Sequence, residues 1–168
     1  MPRLATYDYH TPGAYFVTAI TQDRQPLFAT LDLATAAVLV TDVGQMIDSW
    51  WLNTVEKFRS ITLDAYVIMP DHFHGIVLLG CNSDEIKTQT ESLSDVMHWF
   101  KTMTTAEYFR GVGAGKWKRV RNRLWQRGFY DRILRDEAEL RAIRRYIECN
   151  PAALWEVSHE DQAPEGGS

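Results

Sequence analysis

Residues 61–79 constrain this chain more than any other stretch. They read Ile61-Thr62-Leu63-Asp64-Ala65-Tyr66-Val67-Ile68-Met69, then Pro70-Asp71, then His72-Phe73-His74-Gly75-Ile76-Val77-Leu78-Leu79. Two apolar runs rich in β-formers, at about 61–69 and 73–79, flank a tight Pro-Asp connection, so the segment reads as two consecutive strands. In a strand residues i and i+2 point to one face. His72 and His74 therefore aim two imidazoles at one point, while Phe73 enters the opposite layer. That is half of a divalent metal site, although an isolated His-x-His pair more often exists for hydrogen bonding or solvation alone. A partner is needed.

One such partner lies near residue 146. Asp136 reads as an N-cap with Glu139 three residues later, and Pro151 disfavours helical geometry at Asn150, so a helix is expected from about Glu137 to Asn150. Leu140, Ile143 and Ile147 form its apolar stripe, with Arg141, Arg145 and Glu148 projecting away. Tyr146 and Asn150, four apart, share the edge of that stripe. A phenol and an amide oxygen are presented side by side where the helix meets the body. Taken singly, a tyrosine at a core margin packs and an asparagine at a helix end caps.

The remaining pattern supplies a frame. A strand is expected at about Ala14 to Thr21, with a turn around Asp23-Arg24-Gln25-Pro26. A long helical stretch is expected over Leu33 to Lys57, its apolar face including Val43, Ile47, Trp51 and Val55. After the polar connector Asn82 to Glu91 comes a helix from about Leu93 to Phe109, ended by Gly111, Gly113 and Gly115. A strand region from Arg123 to Leu134, interrupted by Gly128, precedes the last helix. The order strand, helix, strand, strand, helix, strand predicts an α+β fold. It is a ferredoxin-like split β-α-β sandwich, with an antiparallel sheet, helices on one face and a further C-terminal helix.

The segments Val67 to Leu78 with its Pro-Asp-His-Phe-His core, Trp125-Gln126-Arg127-Gly128-Phe129-Tyr130-Asp131-Arg132 and Tyr146-Ile147-Glu148-Cys149-Asn150-Pro151 occur in that order. In this the chain resembles the single-tyrosine transposases that carry a His-hydrophobe-His motif, over about Tyr7 to Trp155. Asn before Pro, four residues after the tyrosine, points to their REP-associated branch; insertion-sequence relatives commonly have Gln there. The resemblance implies a 5′-phosphotyrosine link with release of a 3′-hydroxyl. It also implies a substrate of single-stranded DNA carrying an imperfect palindrome folded as a hairpin.

A phenol with an ordinary pKa of about 10 is a weak nucleophile at neutral pH, and a phosphodiester repels nucleophiles. A divalent cation can polarise the scissile phosphate and offset the developing charge. The expected arrangement is His72, His74 and the side-chain oxygen of Asn150 holding Mg²⁺ or Mn²⁺, with Tyr146 as the nucleophile. Tyr130 is a rival, set aside because aromatic residues flanking a strand ordinarily pack and because Tyr146 matches the family's tyrosine.

The net charge of −4 is poor for a uniformly basic nucleic-acid binder. Local distribution matters more. Lys116, Lys118, Arg119, Arg121, Arg123, Arg127, Arg132 and Arg135 are opposed within their span only by Asp131. All but Arg135, together with Lys101, are the candidate DNA contacts. Trp117 and Trp125 interleave these charges, either to stack on unpaired bases or to fill the core. A solvated edge in which basic residues discourage aggregation has the same composition.

With 168 residues, 45% of them hydrophobic, the chain can bury one sizeable core, and residues 1–157 read as a single catalytic domain. Residues 158–168 read as a disordered tail. No apolar run reaches membrane-spanning length, and Cys81 and Cys149 suggest no disulfide framework. A cytoplasmic protein without membrane contact is expected, as a monomer or homodimer with single-stranded or hairpin DNA as partner. Two other readings share these residues. One is a domesticated protein that binds hairpins without cutting, and the other a metal-dependent hydrolase of a small phosphoester in which Tyr146 only orients substrate.

Overall fold

The computed structural model describes residues 11–80 and 91–149. The proposed ligand Asn150, most of the polar connector after Cys81 and the tail from Ser158 lie outside the described residues. The chain builds a four-stranded sheet from β1 (Gly13–Ile20), β4 (Ile61–Ile68), β5 (His72–Leu79) and β6 (Tyr130–Leu134). Their order is β4-β5-β1-β6, with every neighbouring pair antiparallel. The first strand thus sits between the third strand of the sheet and the last, the split β-α-β arrangement that the element order predicts.

Alternation along each strand sends side chains to two different layers. On one face Tyr15, Val17 and Ala19 of β1, with Phe73, Val77 and Leu79 of β5, are fully buried. This face is covered by α1 (Asp42–Leu52) and α3 (Leu93–Gly113), and their meeting point is Trp51, whose ring lies 4.6 Å from Phe73 and 5.1 Å from Phe100. Fully burying side chains of this size contributes roughly 1.5–3 kcal/mol each. Gly75 lies under Trp51, and a Cβ there would stand 2.8 Å from the indole ring. Only glycine lets the indole lie this close to β5.

The other face is covered by α4 (Glu137–Cys149). The expected stripe packs as read: Leu140 and Ile147 are buried against Ile76 and Leu134, with Ile143, Phe16, Ala65 and Val67 alongside. Asp136 caps the helix through Oδ1, which accepts from the Glu139 N–H at 2.8 Å. The Glu139 carboxylate does not return to the cap. It accepts instead from the Arg135 N–H at 2.8 Å and from Arg132 at 3.3 Å.

Two elements differ from expectation. The stretch from Leu33 is not one helix, because β2 (Ala29–Asp32) and β3 (Ala37–Val40) form a separate hairpin before α1. Asp32 accepts from the Ala34 N–H at 3.0 Å and Ala36 adopts φ 54°, which closes a turn. Thr41 then accepts from the Gly44 N–H and starts the helix four residues after the apolar run begins at Ala37. The chain also breaks at Asn53 before the short α2 (Thr54–Lys57). The second difference is that only residues 130–134 of the expected final strand are extended in the sheet, residues 114–129 forming an irregular connection. That connection is held to the end of β1 by an isolated bridge, Thr21 to Trp125. Meanwhile α3 continues past Gly111, where a Cβ would meet the Trp117 ring at 2.3 Å, so this glycine serves packing before termination.

Candidate active site and nucleic-acid surface

His72 and His74 stand on the α4 face of β5 with ring centroids 4.6 Å apart and planes at 73°. Both rings are buried, at 1% and 9% exposure. The turn that delivers them is short: the Met69 N–H donates to the His72 carbonyl at 2.9 Å across Pro70-Asp71. Asp71 Oδ1 lies 2.6 Å from His72 Nδ1, while Arg24 donates to the other carboxylate oxygen at 3.3 Å. With the Nδ1 hydrogen taken by Asp71, the lone pair of a neutral ring is on Nε2. That atom is buried and has no hydrogen-bond partner among the described residues.

His74 is oriented by β1. Thr18 Oγ1 lies 2.7 Å from its Nδ1, and the Phe16 ring stacks on it at 5.1 Å. Burial, reinforced by His72 and partly offset by Asp71, pushes His74 down to about 3, so its ring is neutral at physiological pH. Neutral imidazoles with one nitrogen held by an oxygen partner are the form that binds metals. The donor set therefore fits a divalent cation. No group of three His, Cys, Asp or Glu side chains among the described residues is placed to hold one. Any third protein ligand is of another type or comes from outside the described residues.

Tyr146 rides on α4, on the same face of the sheet as the histidines. It is 42% exposed and makes no hydrogen bond among the described residues. Partial burial raises its pKa, so the phenol keeps its proton at neutral pH. The helix is fixed by more than its apolar stripe. Arg144 forks onto Asp64, Nε lying 2.9 and 3.0 Å from the two carboxylate oxygens and a terminal nitrogen 2.5 Å from the second. This is possible because β4 slips register between Leu63 and Tyr66. The bulge turns Asp64 toward α4 and packs Ala65 beneath it, where strict alternation would have divided them between layers.

The basic residues divide by environment. Lys116, Lys118, Arg119, Arg121, Arg123 and Arg127 are exposed along the 114–129 connection and form no ion pair among the described residues. Arg132 is exposed on β6 and paired with Glu139 at 3.3 Å. Lys101 points inward, its ammonium donating to the Gln126 carbonyl at 2.7 Å and to that of Gly128. Burial, with Arg123 nearby, pushes it down to about 8. The tryptophans pack. Trp125 is 3% exposed, donates to Thr104 at 2.9 Å and tilts against Phe28 and Phe100, while Trp117 stacks on Tyr108 at 5.7 Å. Of the two roles open to them, the core role is the one observed.

The connection also runs beside the histidines. The Gln126 N–H donates to the Ile20 carbonyl at 2.8 Å, and Ile20 is paired on its other side with His72. Between this connection and α3 lies an open groove of about 880 Å³, lined by His98, Lys101, Phe109, Arg123, Arg127 and Phe129. Sequence reasoning assigned no role to Asp71, Arg24, Thr18 or the Asp64–Arg144 pair. The Asp-His dipeptide was a usable signal for the first, whereas the others depend on register and on a bulge.

The sequence pattern of the family described as IS200-like transposases matches residues 35–150. The chain belongs to that family. This IS200-like transposase is 28% identical over 171 residues to an uncharacterized protein of Haemophilus influenzae, covering 92% of this chain and 88% of the relative. It is 26% identical over 147 residues to a second protein of that organism, assigned as a REP-associated tyrosine transposase, covering 86% and 73%. Its fold matches a REP-associated tyrosine transposase bound to a REP hairpin, with a TM-score of 0.59, 20% identity and coverage of 98% of this chain and 81% of that one. A Deinococcus radiodurans protein assigned as a transposase matches with a TM-score of 0.53 and 18% identity, covering 88% and 96%. Among the described residues no helix of the transposase is long and apolar enough to cross a membrane.

Proposed function

We propose that this transposase cleaves and rejoins single-stranded DNA beside hairpin-forming palindromes through a 5′-phosphotyrosine intermediate on Tyr146. The observation that carries the reading is the buried, unpartnered Nε2 of His72, oriented by Asp71, beside the neutral ring of His74 on the face that α4 covers. His72, His74 and the amide oxygen of Asn150 are the residues that would hold Mg²⁺ or Mn²⁺. Bound there, the cation supplies Lewis-acid polarisation of a non-bridging phosphate oxygen.

The chain's own groups do the rest. The Tyr146 oxygen forms a bond to phosphorus as the bond from phosphorus to the 3′ oxygen breaks. The phenolic proton leaves the tyrosine and the departing 3′ oxygen ends as a hydroxyl, so the phosphodiester energy is kept in the new ester. Lys116, Lys118, Arg119, Arg121, Arg123 and Arg127 hold the strand by its phosphates, with Arg132 on the histidine face. Lys101 acts at one remove, by fixing the backbone at Gln126 and Gly128. The run of unpaired cations beside the histidine end of the sheet favours a polynucleotide over a small phosphoester. The orphaned imidazole nitrogen favours a cutting enzyme over a binding protein.

The test is to incubate labelled hairpin DNA bearing an unpaired flank with the full chain and Mg²⁺, then to look for a denaturation-resistant adduct. Wild type should form it. Tyr146→Phe should not, while keeping nearly full hairpin affinity, and His72→Ala or His74→Ala should form little. Equal adduct from Tyr146→Phe would remove Tyr146 from the mechanism.

A further inference from the structure

Tyr130 is 47% exposed and belongs to neither hydrophobic cluster, whereas an aromatic at a strand end is expected to pack. Its place in the sheet is specific. Thr18 pairs with His74 on one side and with Tyr130 on the other, so Val67, His74, Thr18 and Tyr130 form one row across the four strands. Directly opposed residues share a face. The Thr18–His74 hydrogen bond identifies that face as the histidine face, and β6 agrees: Leu134, four residues on from Tyr130, packs with Ile76 under α4, whereas Ile133 faces the other core. Two strand spacings, about 10 Å, separate Tyr130 from His74 along the row.

Among the described residues β6 is the edge strand of the sheet, and none of their strands lies beyond Tyr130. Gly128, with φ 70°, turns the chain into the strand, and the exposed Arg127 precedes it. A half-exposed flat ring thus stands on the face and in the row of the candidate metal site, three residues after an exposed arginine. At the roughly 3.4 Å per nucleotide of a stacked strand, 10 Å is about three steps, and an extended strand covers it in fewer.

We propose that Tyr130 is a stacking platform for an unpaired base of the DNA strand whose phosphate lies at the histidine pair. The inference rests on the proposed single-stranded substrate and names a base-binding position for it. Stacking needs the aromatic face and not the hydroxyl, which separates this role from that of a second nucleophile. It also selects single strands, because paired bases offer no free face.

The experiment uses hairpin oligonucleotides with 2-aminopurine at successive positions of the unpaired flank. The full chain is added without divalent metal, so that binding is read apart from cutting. Wild type should quench the fluorescence at one or two adjacent positions. Tyr130→Phe and Tyr130→Trp should retain that quenching, and Tyr130→Ala should lose it and bind the flanked hairpin about tenfold more weakly. With Mg²⁺ present, Tyr130→Phe should form adduct as wild type does. Persistent quenching in Tyr130→Ala would overturn the proposal, and so would loss of adduct in Tyr130→Phe, which would make the hydroxyl the functional group. Tyr130-dependent quenching in a protein that forms no adduct would uphold the platform while refuting the cleavage reading.

Discussion

Arg144 and Asp64 stand 80 residues apart in sequence, yet the guanidinium of one grips both carboxylate oxygens of the other, holding α4 on β4. The Asp64 carboxyl is held below its ordinary range by Arg144. Tyr146 follows Arg144 by two residues, so this fork helps set where the phenol stands. We expect Arg144→Ala to cost only about 1 kcal/mol of stability, since the pair is partly solvated. The same variant should slow adduct formation by tenfold or more with hairpin affinity unchanged. Arg144→Lys, which keeps the charge but cannot fork, should fall between. A full-rate Arg144→Ala enzyme would show that the apolar stripe alone positions the helix.

Asp71→Asn tests the orientation of His72. It removes the carboxylate that fixes the Nδ1 hydrogen while nearly preserving shape, and it takes away the ion pair of Arg24. Loss of such a supporting group typically costs 10- to 100-fold in metal affinity. Calorimetric titration with Mn²⁺ should find a weakening in about that range. Unchanged affinity would mean that Asp71 serves the turn and not the metal.

Replacing Arg119, Arg121 and Arg123 together with Ala should lower the dependence of log affinity on log salt by about 2 units, at roughly 0.7 per phosphate contact for a single strand. Mn²⁺ affinity should not change, because these side chains lie on the 114–129 connection and not in the imidazole pair. A flanked hairpin should bind more tightly than the same sequence as a perfect duplex. Preferential binding and cutting of the duplex would sink the single-strand reading.

Lys101 predicts a pH dependence of stability. Its folded-state pKa of about 8 is below the ordinary value near 10.5. Between those values the unfolded chain binds a proton that the folded chain does not, so stability gains from rising pH across that window. Thermal unfolding of wild type and Lys101→Met at pH 7, 8, 9 and 10 isolates the effect, because other groups titrate in both. The difference should shift in favour of wild type as pH passes 8. A constant difference would mean that the two carbonyls stabilise the ammonium enough to cancel its burial.

Much of this arrangement was legible because it depends on local patterns. The β4–β5 turn, the histidine alternation and the Leu140, Ile143, Ile147 stripe each follow from spacing within one element, and each stands where spacing put it. What escaped depends on contacts made later. The run Ala37-Val38-Leu39-Val40 suits helix and strand alike, and its pairing with Ala29–Asp32 decided the outcome. Trp117 and Trp125 stand among charges in sequence but are claimed by Tyr108, Phe28 and Phe100 in space. Tyr130 went the other way, because edge position and not residue type determines whether an aromatic is covered. The bulge at Asp64 had no signal in composition, although a lone carboxylate in an apolar strand invited a search for an arginine.

The strand order has a consequence for synthesis. β1 is made first but lies inside the sheet, so one of its edges waits unpaired until β6 leaves the ribosome. The basic connection is translated just before β6, and Tyr146 comes 12 residues after that strand ends at Leu134. A nascent or prematurely terminated chain that stops before Tyr146 therefore carries the histidine hairpin and the basic connection without the hydroxyl proposed to cut DNA. Order of translation thus places the group proposed for the chemistry after every side chain proposed to bind the strand.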